Sequence, residues 1–162
     1  MKIFIAFIIV VVLGVVTFFA SDQKIAMPND KVLAYYEVFK DLFYDTQTLN
    51  REMQYVAVDL NAVEPEFREE LTKMINKFCY DEAKTFLDMS FDELKAQGYA
   101  TDTDFKQGFL ITIYDVDFTD GKLVCSGAKW RSTAQMVSAE YTVQKKFWFI
   151  KVRNKANYQV LE

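Results

Sequence analysis

Lys129-Trp130-Arg131-Ser132 is the segment of this 162-residue chain whose residue types best suit a binding site. Side chains alternate along a strand, so Lys129 and Arg131 share one face and Trp130 takes the other. If the sheet curves, its concave face can hold a pocket walled by Trp130, Trp148 and Tyr114. Aromatic walls with a few polar groups are what small-ligand and peptide sites use. The candidate ligand-binding residues are therefore Trp130, Trp148, Tyr114, Lys129 and Arg131. The competing structural reading makes Trp130 a core anchor against the first helix and leaves Lys129 and Arg131 in water.

Catalytic templates fail in turn. The chain has no histidine, which removes Ser-His and Cys-His nucleophile pairs, histidine metal sites and the usual base that titrates near neutrality. No serine stands in a G-x-S-x-G elbow, and no glycine-rich phosphate loop follows a strand. A Ser-Lys arrangement or a carboxylate pair stays open; hydrolysis by Asp59 and Glu93 requires those two groups to converge in a cleft. Asp115-Val116-Asp117-Phe118-Thr119-Asp120-Gly121 fails as an EF-hand loop, because the sixth and twelfth positions are Asp120 and Ser126 rather than Gly and Glu. Asp102 and Asp104 read as a solvated loop. The expectation is a protein that is not an enzyme, with no cofactor and no metal.

The elements that position these residues begin after an uncharged apolar run, Ile3 to Ala20, preceded by Lys2 and followed by Ser21-Asp22-Gln23-Lys24. As a helix the run spans roughly 27 Å, close to a bilayer's hydrocarbon core. Phe18 occupies the −3 position of a cut after Ala20, where a signal peptidase needs a small residue. A retained single-span anchor is favoured over a cleaved, secreted form, with the C-terminal domain outside the cell membrane. The organisation expected is an anchor or uncleaved signal at 1–21, a stalk at 22–29 and an extracytoplasmic domain at 30–162.

Charge is split along the domain. Residues 21–105 carry 9 Lys/Arg against 18 Asp/Glu, whereas 106–162 carry 9 against 5. Such a split can orient the domain over an anionic membrane or wall polymer; it also arises when an acidic helical half lies beside a solvated sheet. Cys79 and Cys125 can pair outside the cytoplasm, yet both sit among apolar residues, where a free thiol behaves as a small hydrophobe. Nucleic acid is not an expected partner, since the chain is acidic overall and its basic residues form no recognised module. The partners expected are the membrane through 3–20 and an envelope protein, a wall polymer or a small ligand.

Asn29-Asp30 opens a helix running to about Thr46, with Val32, Leu33, Tyr35, Tyr36, Phe39, Leu42 and Phe43 at helical spacing. Tyr55 to Leu60 reads as a strand, Glu64-Pro65 starts a helix reaching about Glu82, and Thr85 to Asp88 reads as a short strand. Ser90-Phe91-Asp92-Glu93 is a capping box, and Gly98 closes the helix it opens. A meander follows: 109–118, a turn at Asp120-Gly121, then 122–132, 134–145 and 147–152.

The order Tyr55-Val56-Ala57-Val58-Asp59-Leu60, Phe91-Asp92-Glu93-Leu94-Lys95-Ala96-Gln97-Gly98-Tyr99 and Lys129-Trp130-Arg131-Ser132 resembles a group of small exported proteins of Gram-positive bacteria. The resemblance covers roughly residues 53–152. It implies an extracytoplasmic envelope role and transfers no catalytic residues. Helices followed by a curved sheet also resemble a cystatin-like or NTF2-like cone, from which the extra strand near residue 55 departs. The fold expected is α+β: a transmembrane helix, then helices packed on a curved antiparallel sheet of about four strands.

The function expected is a non-catalytic extracytoplasmic binding or scaffold domain of the envelope. The alternative is a secreted or anchored solute- or peptide-binding accessory protein with a pocket on the sheet.

Overall fold

The structure, a computed structural model, describes residues 22–23, 25, 27–45, 50, 52–146 and 149–157. Helix α1 (Pro28–Tyr44) starts on a proline, whose fixed φ suits a first turn. Its Tyr35, Val38, Phe39 and Leu42 are fully buried and recur at helical spacing. Helix α2 (Pro65–Asp81) repeats the device, burying Phe67, Leu71, Ile75 and Cys79 at four-residue intervals. Helix α3 (Phe91–Ala96) is short, and Ser90 with Glu93 forms a complete capping box at its start.

The strands are β1 (Asp22–Gln23), β2 (Tyr55–Asp59), β3 (Thr85–Asp88), β4 (Gly108–Thr119), β5 (Lys122–Ser132), β6 (Gln135–Lys146) and β7 (Phe149–Asn157). They form one mixed sheet in which β6, β5, β4, β2 and β3 lie side by side. β2 is parallel to both β3 and β4, and the pairs β4/β5, β5/β6 and β6/β7 are antiparallel. β7 lines one edge of β6; the two residues of β1 pair with Lys146 and Lys145 on its other edge, beyond the end of β5. The Ile25 N–H donating to the Gly121 carbonyl fixes that placement.

Two cores flank the sheet. The main one joins α1 and α2 to Val56, Val58, Phe109, Ile111, Ile113, Leu123, Tyr141 and Val143. Gly127 lets α1 approach β5 closely, since a Cβ there would lie 2.7 Å from Leu42 Cδ1. The smaller core, on the opposite face, collects Ala57, Leu94, Ala100, Phe105 and Leu110, with Trp130 and Phe91 at its border. β2 is thus buried on both sides, as a strand between two parallel neighbours should be.

The expected architecture is corrected by this sheet. It has six strands besides the two-residue β1, not about four, and it is mixed rather than antiparallel. The strand–helix–strand segment from Tyr55 to Asp88 forms a βαβ unit that a cystatin-like or NTF2-like cone does not call for. Among the described residues no helix is long and apolar enough to cross a membrane, and the run 3–20 lies outside them. Part of the segment read as a stalk belongs to the fold: β1 joins the sheet and Ile25 is buried in the main core.

Candidate functional site

Parallel strands leave their carboxyl ends beside one another, with connections diverging around them, and such edges are where α/β sheets bind ligands. β2 ends at Asp59 and β3 at Asp88. Both line a cleft of about 210 Å³ that also takes in Asn61, Arg68 of α2, Ser90 and Glu93 of α3. The two carboxylates that a hydrolytic reading requires together, Asp59 and Glu93, therefore share one cleft.

Each group there is held by local structure. The Asp59 carboxylate accepts the Asn61 N–H at 3.0 Å, an Asx-type turn that bends the chain away from β2. Arg68 spans the same loop, its Nε donating to the Val63 carbonyl and its Nη2 to the Asn61 carbonyl, both at 2.8 Å. Glu93 Oε2 accepts from the Ser90 N–H and hydroxyl, each at 2.7 Å.

The carboxyls are driven apart in acidity. The Ser90 backbone and hydroxyl donors lower the pKa of Glu93 by favouring its ionised form. Burial raises Asp88, and the Glu93 and Asp59 carboxylates add to that rise against the opposing Thr72 hydroxyl and Arg68. Three acidic groups against one cation make the cleft negative. Among the described residues no three His, Cys, Asp or Glu side chains are grouped to hold a metal.

The residues first expected to form a site are distributed differently. Lys129 is fully buried beneath α1. Its Nζ donates to the Phe43 carbonyl at 2.9 Å, the Asp45 carbonyl at 2.8 Å and Asn50 Oδ1 at 2.6 Å, and lies 4.6 Å from the centre of the Phe109 ring. Burial lowers its pKa to about 8 against the opposing pull of Asp45. All three ammonium donors are used, so Lys129 works as a cap for the carbonyls left over at the end of α1.

Trp130 lies on the other face, half-buried and edge-on to Phe91 at 4.9 Å, so it anchors the small core rather than packing against α1. Tyr114 shares that face, cross-strand from Ser126, four pairs along from the Leu110–Trp130 pair. That separates the two residues by roughly 13 Å along the sheet. Arg131 is half-buried at a register irregularity, where its carbonyl accepts the Phe105 N–H. Trp148 lies outside the described residues.

The cleft residues that sequence reading passed over are Asp88, Arg68 and Asn61. The available signal was the alternation of strand, helix and strand between Tyr55 and Asp88, which predicts parallel pairing and a crevice at the carboxyl ends. Cys79 and Cys125 are free and buried, and burial pushes both thiols up to about 12. Neither is a nucleophile at neutral pH. Comparison with protein-family models, curated proteins and solved structures returns no match.

Proposed function

We propose that this chain is a non-catalytic binding domain that works outside the cytoplasm, kept at the membrane by the apolar run Ile3–Ala20. Its cleft over the carboxyl ends of β2 and β3 takes a small solute bearing a cationic group. The observation that carries this reading is the cleft's charge: Asp59, Asp88 and Glu93 line it with one guanidinium, and two of that guanidinium's nitrogens are already bonded to carbonyls. A cationic ligand would gain charge-assisted hydrogen bonds from carboxylate oxygens still open to it.

The test is calorimetric titration of the full chain with diamines, basic amino acids and lysine-bearing peptides, compared with neutral analogues of the same size. Saturable binding of a cationic member that is lost in Asp88→Asn supports the reading. Equal indifference to cationic and neutral compounds overturns it.

A hydrolytic reading has one observation in its favour, the opposite displacement of the Asp88 and Glu93 acidities within one cleft. Binding is preferred because Glu93 is engaged with Ser90 and Asp59 with Asn61. Turnover that disappears in Asp88→Asn while binding persists would reverse that preference.

A further inference from the structure

We infer that the outer face of β7, the row begun by Lys151 and Arg153, is a docking surface for anionic lipid headgroups. Ile150 and Val152 pack against the main core, so strand alternation turns Lys151 and Arg153 to the opposite face, where both are exposed. Their register places them across from Gln144 and Thr142. Among the described residues no ion pair engages Lys151 or Arg153. This row stands out in a chain of net charge −4, whose acidic excess lies almost wholly before residue 106.

The choice of lipid over other polyanions follows from topology, and it rests on the reading that Ile3–Ala20 keeps the chain at a membrane. Only Ser21 separates that run from β1, and β1 pairs with Lys145 and Lys146. β7 pairs with the same two residues from the opposite edge of β6. Two strand spacings and two residues along β7 put the start of the basic row roughly 12 Å from the point where the run joins the sheet. A bilayer holding the run is therefore within reach of the row. Ammonium and guanidinium groups bond phosphate well, and each basic residue near an anionic surface is worth about 1 kcal/mol, roughly fivefold in affinity.

The test uses the full chain incorporated into phosphatidylcholine vesicles, with or without added phosphatidylglycerol, and follows acylation of individual lysines by mass spectrometry. Lys151 is expected to react on the order of fivefold more slowly on the anionic vesicles. Lys73, exposed on α2, should react equally on both. Salt near 1 M should abolish the protection, because it shortens the screening length to about 3 Å. Arg153→Gln, an exposed change whose fold is checked by circular dichroism, should weaken it.

Equal reactivity of Lys151 on the two vesicle types overturns the proposal. So does slowing seen only with a soluble glycerol-phosphate polymer, which would assign the row to a wall component. A chain that stays on anionic vesicles but leaves neutral ones supports the basic row and overturns the membrane-holding role of Ile3–Ala20. A chain that stays on both with Lys151 unprotected overturns the row alone.

Discussion

Lys129 and the β2/β3 cleft are two concentrations of polar chemistry in this chain, and they differ in how fully their groups are used. Lys129 has no exposed surface and spends its three donors on three acceptors at the end of α1. In the cleft Asp59, Arg68 and Glu93 each satisfy a backbone group nearby, yet they do so around an open space. A buried cation with every donor satisfied is a structural part, since nothing more can bind it. Carboxylates bonded on one side and open on the other are organised without being closed. Residue type alone would have ranked the two the other way round.

The strongest way to break that comparison is to remove the sealed cation. Lys129→Ala should cost about 3–5 kcal/mol, combining the cavity left by the side chain with the loss of the donor shared by the Phe43 and Asp45 carbonyls. Urea unfolding measures it, and cleft binding, where the fold survives, should be unchanged. A loss below about 1 kcal/mol would mean that Lys129 is not the cap described.

Acidity gives a second handle on the same residue. The folded amine releases its proton near pH 8, against an ordinary value of 10.5, so the unfolded chain binds more protons between those values. The cost of burying the charge is fully present below about pH 8, and stability contributed at Lys129 rises from there to about 10.5. Cys79 and Cys125 act in the opposite sense, because their folded pKa values are raised and they lose stability as pH climbs from 9 towards 12. The difference between wild type and Lys129→Met isolates the amine. A difference that stays flat across pH 8 to 10.5 would remove the depressed pKa from the account.

On the opposite face, Trp130→Ala should cost about 2 kcal/mol, less than a fully buried tryptophan because the residue is only half-buried. Near-ultraviolet circular dichroism should lose the signal of the Trp130–Phe91 contact while α1 stays intact. Lost α1 helicity would instead support the expectation that Trp130 anchors the first helix.

Local signals in the sequence carried much of the fold. The spacing of Tyr35, Phe39 and Leu42 located α1, Glu64-Pro65 located the start of α2, and Ser90 with Glu93 located α3. Asp120-Gly121 marked the β4/β5 turn, where both residues have positive φ. Pairing was less legible. Val56, Ala57 and Val58 announce a buried strand, but nothing local says that β2 lies between β3 and β4, whose first registered partners, Thr85 and Gly108, stand 30 and 53 residues downstream of Tyr55. Lys129 was misjudged for a related reason. A lysine in a strand ordinarily faces water, and the acceptors that bury this one come from residues 43, 45 and 50, more than 75 positions earlier. Asp59 and Glu93 were visible as carboxylates; Asp88 and Arg68 became site residues only through the parallel pairing that brings the strand ends together.

The smallest expected effect sharpens the comparison most, because it falls on a residue that serves fold and cleft together. Ser90 accepts the Glu93 N–H at 3.4 Å and donates its own N–H and hydroxyl to the Glu93 carboxylate. Ser90→Ala removes the hydroxyl from both contacts and should cost about 1 kcal/mol of stability, the ordinary value of a helix cap. The Glu93 carboxyl keeps the backbone donor but loses the side-chain one, so its pKa should move part of the way back to the usual range. Carboxyl chemical shifts followed by NMR through the acid range would report that movement directly. A loss of cationic-ligand affinity larger than the stability change would show that the capping box also sets the orientation of Glu93 in the cleft. A stability change with affinity untouched would confine Ser90 and Glu93 to the helix and leave Asp59 and Asp88 as the groups that bind.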